Sequence, residues 1–279
     1  LKDVQVQRQN NVPVEVLAPE EIKYRWTYLN VSDLRGGTFC PEDGYADPYM
    51  AAMGFANAAR RLGARIEEQT RVTGIRVEGG KVRGVETTRG SIAAPVVLDV
   101  AGPWSAEVAA MAGFELPVKP VRRQVFVSAR FDPIPKPVPM ILDIDTAFYF
   151  RGEGPGILMG MSDPDEPSYY KLNWDYAFME KVIEQAMHRA PILEECEINR
   201  GWGGLYDITP DDNPIIGALP EAEGFFCAIG FSGHGFQQAP TVGRILSELI
   251  LDGHTGFDLS PFAYDRFERI QGRGETFII

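Results

Sequence analysis

Apolar and polar positions change period several times along the chain, and each change predicts an element. After Asp47-Pro48 the run Tyr49-Met50-Ala51-Ala52-Met53-Gly54-Phe55-Ala56 leads to Arg60-Arg61-Leu62-Gly63. Asp47 suits an N-cap, Pro48 the first helical position, the basic pair the last turn and Gly63 the stop, so a helix is predicted between them. A strand is expected at 64–67. Residues 71–78 and 82–88 then alternate Val with charged residues around Gly79-Gly80, the pattern of a hairpin within a small meander. Val96-Val97-Leu98-Asp99-Val100 is nearly all apolar, which predicts a buried parallel strand, and it enters Ala101-Gly102-Pro103-Trp104-Ser105 before a second helix.

The pattern differs over 117–166. Strands around 124–129 and 147–150 are separated by Pro133-Ile134-Pro135-Lys136-Pro137-Val138-Pro139, which predicts a second, antiparallel lobe. Residues 174–190 form an amphipathic helix stopped by Pro191. A buried strand at 224–229, a glycine-rich turn and a helix from about 240 to 251 return the chain to the first lobe. Residues 1–16 are polar and lack clear periodicity, and Pro19-Glu20-Glu21-Ile22 reads as an acidic helix start. The expected fold is therefore α/β with α+β character: a partial doubly wound lobe and an antiparallel-sheet lobe, each discontinuous in sequence.

Composition narrows the partners. With 279 residues, 44% hydrophobic and 24% charged, the chain is an ordinary globular protein. A net charge of -12 and scattered Lys and Arg repel a phosphate backbone, which excludes nucleic acid and favours a small molecule. No segment approaches the roughly 20 apolar residues of a membrane span, and residues 1–11 are too polar for a signal sequence, so a soluble protein is expected. Cys40, Cys196 and Cys227 are widely spaced with no CxxC pair. That predicts neither disulfides nor a metal site, and a reducing cytoplasm.

Candidate chemistry concentrates at Gly230-Phe231-Ser232-Gly233-His234-Gly235-Phe236-Gln237. Glycines between a buried strand and a helix let main-chain N–H groups approach a ligand, and bare amides at a helix start attract negative charge. A phosphate and the anionic end of a reduced flavin are both candidates; tight packing of strand on helix also uses glycine. His234 could act as a base, but its backbone amide is the favoured contributor. Gly152-Glu153-Gly154-Pro155-Gly156 resembles a dinucleotide fingerprint, yet it leads into another strand-like run, so a hairpin is expected. No GxGxxG followed by a helix lies near the amino terminus.

Several motifs in order resemble the FAD-dependent D-amino-acid oxidase superfamily, in particular sarcosine oxidase, glycine oxidase and the β subunits of heteromeric sarcosine oxidases and proline dehydrogenases. They are Asp43-Gly44-Tyr45-Ala46-Asp47-Pro48, Gly63-Ala64, Thr70-Arg71-Val72, Ala101-Gly102-Pro103-Trp104-Ser105, Pro117-Val118, Arg123-Gln124, Thr209-Pro210-Asp211, Pro214-Ile215-Ile216-Gly217 and the turn from Gly230 to Phe236. The resemblance implies FAD-dependent oxidation of an amino acid or N-methylated amine. It assigns Val72, Ala101, Gly102, Trp104, Gly233, His234, Gly235, Phe236 and Gln237 to the cofactor; core packing is the competing role for Val72 and Trp104. It also implies an FAD-binding lobe over 44–113 and 205–254, a substrate lobe over 1–43 and 114–204, and a tail over 255–279.

In the substrate lobe the resemblance makes Tyr149 and Arg151 candidates for substrate contact, and Arg122-Arg123 could equally supply a carboxylate partner or be solvated strand charges. Gly204 stands where monomeric sarcosine oxidases tether flavin through cysteine, so non-covalent FAD is expected. Gln237 replaces a lysine that helps bind the substrate carboxylate. Because family members carry a strand, GxGxxG and helix before the DGYADP match, the chain is expected to be a truncated fragment, lacking the N-terminal βαβ unit. Such a fragment could fail to hold FAD, or serve as a silent subunit or oligomer that binds a partner.

Overall fold

The computed structural model describes residues 2–269, so residues 270–279 of the expected tail lie outside the described residues. In chain order the elements are α1 (Lys2–Gln9), β1 (Glu15–Leu17), α2 (Pro19–Arg25), β2 (Gly37–Phe39), α3 (Pro48–Arg61), β3 (Val72–Glu78), β4 (Lys81–Thr87), β5 (Gly90–Ala93), β6 (Val97–Asp99) and α4 (Ser105–Met111). They continue with β7 (Lys119–Ser128), β8 (Ile141–Asp143), β9 (Phe148–Glu153), β10 (Gly156–Met161), α5 (Tyr176–Arg189), β11 (Ile198–Ile208), β12 (Ile215–Ala218), β13 (Phe225–Ile229), α6 (Gly235–Asp252) and α7 (Arg266–Arg269).

The largest sheet is antiparallel, in the order β11-β7-β10-β9-β8. Its inner face carries Phe126, Phe148, Phe150 and Met159 into a core closed by Phe178, Val182 and Ala186 of α5 and by Leu17, Ile22 and Leu29. A second core joins Ile75, Val82, Ala109, Ile215, Phe225 and Ile229, between the meander β3-β4-β5, helix α4 and the sheet β12-β13-β6. Only the β13–β6 pair of that sheet is parallel. On its other side Ile216 and Ala228 pack against Val242, Ile245 and Leu246 of α6.

The helix after Asp47 forms as its caps dictate. Asp47 accepts the Met50 amide at 2.9 Å, and Gly63 closes the helix at φ +95°. None of its residues is buried; Tyr49, Met50 and Phe55 stay largely exposed. The 152–160 segment is the β9–β10 hairpin, with no following helix.

Four expectations need correction. Residues 64–67 form no strand, and the polar opening contains helix α1 and strand β1. Helix α6 begins at Gly235, five residues before Pro240, which sits inside it. Proline is tolerated in a first turn because its missing N–H would lack an intrahelical partner there; Pro240 lies just beyond that turn, so its fixed φ matched the sequence signal for a helix start while its position did not. The apolar run at 96–100 is only half buried: β6 is an edge strand, with Leu98 36% and Val100 61% exposed.

Candidate functional site

Strand register divides the large sheet into two chemically different faces. Residues paired across antiparallel strands share a face. Phe126 pairs with Met159 and Gly201 on the core face, and Gln124 and Arg122 follow it at alternate positions. Val121, Arg123 and Val125 must point the other way. Their partners on β11 are Tyr206, Gly204 and Trp202, and on β10 Val125 pairs with Gly160, which pairs in turn with Tyr149. Arg151, two residues on, shares the Tyr149 face.

The adjacent arginines therefore have separate fates. Arg122 is 3% exposed and bonds Glu166 at 2.9 Å, Asp175, and the Asn173 carbonyl. It is a structural ion pair beneath the sheet. Arg123 stacks on the Tyr206 ring, 5.1 Å from its centroid, and donates once, to the Arg122 carbonyl at 3.1 Å. Its Nε is buried without an acceptor, and no carboxylate lies within ion-pair distance among the described residues. Burial lowers its pKa, a fall that the neighbouring Tyr206 opposes.

Tyr149 and Tyr206 complete the patch. Burial raises both phenols, and Tyr206 adds to the rise at Tyr149, so both keep their protons and can donate. Glycines make room for the rings: a Cβ at Gly160 would stand 2.6 Å from the Tyr149 hydroxyl, and one at Gly233 2.4 Å from Tyr206 Cε2. Arg151 is more committed than Tyr149. It bonds Glu153 at 2.5 Å and the Gly152 carbonyl at 2.9 Å, and its guanidinium lies 4.6 Å from the Tyr45 ring centroid.

Through Tyr206 the sheet meets the glycine turn. Asp207 anchors it by accepting the Gly230 amide at 2.7 Å, while the Ser232 amide donates to the Asp207 carbonyl at 3.1 Å. Burial raises the Asp207 carboxyl, an effect the Gly230 amide partly offsets. The His234 amide donates to the Phe231 carbonyl at 2.8 Å and is used within the turn. The amides of Gly233, Gly235, Phe236 and Gln237 are left without a main-chain acceptor among the described residues, and no side chain caps the helix. Gly233, Phe236 and Gln237 are exposed, so the junction is open.

Beside Asp207 the turn at 102–104 leads to a cavity of about 810 Å³. Thr70, Arg71, Val72, Ala101, Trp104 and Met111 line it, which brings Val72, Ala101 and Trp104 together. Gly102 stands at φ +55°, and a Cβ there would lie 4.0 Å from Asp207 Oδ2. Trp104 is 44% exposed and stacks on Tyr170 at 5.8 Å, so it forms a wall of the cavity and not core. Below it, buried Asp99 fixes the turn by accepting from the Ala101 amide at 2.9 Å and the Ser105 hydroxyl at 3.0 Å.

This donor set fits a flavin dinucleotide. The apolar and aromatic cavity wall suits a planar base, and unsatisfied amides at the start of an 18-residue helix suit the electron-rich edge of an isoalloxazine. The sequence pointed to the turn and to Val72, Ala101 and Trp104. The facing of Arg123 and the anchoring by Asp207 were not singled out, although the alternation Trp202, Gly204, Tyr206 was a visible sign of one shared face. Among the described residues no His, Cys, Asp or Glu group could hold a metal, and no helix is long and apolar enough to cross a membrane.

A family model described as FAD dependent oxidoreductase (DAO) matches residues 1–249. Human mitochondrial sarcosine dehydrogenase is 33% identical over 272 residues, covering 92% of this chain and 29% of that protein. Sarcosine oxidase subunit beta of Arthrobacter sp is 31% identical over 273 residues, covering 96% of this chain and 67% of its own length. The crystal structure of L-proline dehydrogenase from P. horikoshii superposes with a TM-score of 0.90 at 32% identity, covering 95% of this chain and 72% of that one. The chain thus spans less than a third of the human dehydrogenase and about two thirds of the bacterial subunit.

Proposed function

Because the chain belongs to the FAD-dependent oxidoreductase family, we propose that it takes part in oxidising the C–N bond of an α-amino acid or N-methylated amino acid. The observation that carries this reading is the row of unsatisfied amides at the start of α6, lying beside a sheet face that presents Tyr206, Arg123 and Tyr149. Val72, Ala101, Gly102 and Trp104 would hold the adenosine-side portion of FAD. The amides of Gly233, Gly235, Phe236 and Gln237 would hold the pyrimidine end. Bound there, the flavin supplies a two-electron acceptor.

The protein's own residues supply position and electrostatics. Amides held rigid by Asp207 favour negative charge at the ring edge and need no reorganisation as it develops. Gly204 offers no side chain for a covalent tether, so the cofactor is held by contacts alone. On this reading residues 44–113 and 205–254 carry the cofactor and 1–43 and 114–204 the substrate, with Tyr149 and Arg151 on the substrate side and the Arg151 guanidinium held by Glu153 and the Tyr45 ring. Sarcosine and L-proline, after which two of these relatives are named, are both secondary α-amino acids. That the Arthrobacter relative is a subunit supports a partner chain. Three free cysteines support a reducing compartment such as the cytoplasm.

The test is to load the purified protein with FAD and add sarcosine or L-proline without oxygen. Bleaching of the flavin absorbance is expected. Failure to take up FAD, or an unchanged spectrum with both amino acids and with their N-methylated and primary counterparts, would overturn the proposal.

A further inference from the structure

The structure assigns to Tyr170 a positioning role at the cofactor cavity: from a segment of the large antiparallel sheet it holds Trp104, the cavity's aromatic wall. The assignment rests on the FAD reading above and adds to it a residue from outside the cofactor-side segments. Trp104 has little else to fix it. Its indole belongs to none of the hydrophobic clusters described above and is 44% exposed. Among the described residues its one ring partner is Tyr170, nearly parallel at 16° with 5.8 Å between centroids. The Tyr170 hydroxyl donates to the Pro103 carbonyl at 3.1 Å, so one side chain grips both the backbone of the turn and the ring that follows it.

Tyr170 can hold the wall because its own segment is pinned. Residues 162–175 run from β10 to α5, and buried Arg122 bonds Glu166 twice, at 2.9 and 3.0 Å, the Asn173 carbonyl at 2.8 Å, and Asp175. The Asp175 amide donates to the Gln124 side chain at 2.7 Å, and the Gly203 amide to the Leu172 carbonyl at 3.0 Å. Tyr169 bonds Glu166 within this network, whereas Tyr170, next in sequence, reaches the 102–104 turn. None of these pins uses the Tyr170 ring, so its removal leaves the segment in place and frees only the wall. An indole held before a ligand arrives spares the cost of ordering it on binding. The broad face it offers beside Val72 and Ala101 then suits a planar base.

The test follows Trp104 first and the cofactor second. Fluorine NMR of the full chain labelled with fluorotryptophan reports each indole, with the Trp104 line assigned by Trp104→Phe. In Tyr170→Leu without cofactor that line should move toward the position of a solvent-exposed indole, while those of Trp26, Trp174 and Trp202 stay. In titrations the same variant should lose about 2- to 10-fold in FAD affinity, the size of one aromatic pair, and bind FMN, which lacks the adenosine, as wild type does. Tyr170→Phe keeps the ring and should retain most of the FAD affinity. An unmoved Trp104 line in Tyr170→Leu, equal FAD affinity of wild type and Tyr170→Leu, or an equal loss for FAD and FMN would overturn the assignment. A wild type that takes up no FAD would overturn the cofactor reading itself and this role with it, so the two failures are told apart.

Discussion

Replacing Gly233 with alanine tests the link between the glycine turn and the substrate sheet. Gly233 has φ +96°, where a side chain costs ~1–2 kcal/mol, and its new methyl would stand 2.4 Å from Cε2 and 2.9 Å from the hydroxyl of Tyr206. The ring is half-buried and carries Arg123 on its face, so it cannot swing away freely. Overpacking adds ~1–3 kcal/mol, and the two terms together give about 2–5 kcal/mol. Gly79→Ala is the control: Gly79 has φ +58° in the β3–β4 turn with nothing within 4 Å of a Cβ, so only the backbone cost applies. Chemical denaturation should show the larger loss for Gly233→Ala, and an FAD titration should show weakened binding for that variant alone. Equal stability losses with unchanged FAD affinity in both would refute the argument that the turn is wedged between Tyr206 and the cofactor.

Other perturbations separate structural charges from functional ones. Arg122→Met leaves Glu166, whose side chain is 5% exposed, without its partner; a loss of ~3–5 kcal/mol is expected in urea unfolding, whereas Arg123→Met strands no carboxylate and should lose far less. Gly160→Ala sets a Cβ 2.6 Å from the Tyr149 hydroxyl and 3.1 Å from the Gln124 carbonyl, so an overpacking loss of ~1–3 kcal/mol is expected in chemical denaturation, and Tyr149→Phe in the same background should recover part of it. Asp99 gives a pH signature. Burial raises its folded pKa above the unfolded value of about 4, so its contribution is intact below that value and is lost as pH rises through the folded pKa. Over that window the melting temperature of wild type should fall relative to that of Asp99→Asn, which keeps an oxygen for the Ala101 amide and the Ser105 hydroxyl.

Local chemistry was the most legible part of the sequence. The Asp47 cap, the Gly79-Gly80 hairpin and the glycine turn before α6 each depend on neighbouring residues, and each formed where its residue types require. Features set by distant partners were harder to read. Val96 to Val100 looked like a buried strand because apolar content does not reveal whether a sheet continues past it, and β6 is an edge. Arg122 and Arg123 are indistinguishable as a pair of basic residues. The register of β7 against β11 sends one to Glu166 and the other to Tyr206, and that register is a property of the whole sheet. Asp207 was hidden for the same reason, since its partner amide is 23 residues away.

Flavin binding at this site depends on the main-chain amides of Gly233, Gly235, Phe236 and Gln237 facing the pyrimidine edge of the ring. The ionisation of the chemically reduced, protein-bound flavin, followed by absorbance as pH is lowered from mildly alkaline to mildly acidic, measures that field directly. The anionic reduced spectrum should persist to distinctly lower pH than for free reduced flavin, and Gly233→Ala should bring the transition back toward the free value. A bound flavin that takes up its proton at the same pH as the free cofactor would contradict it.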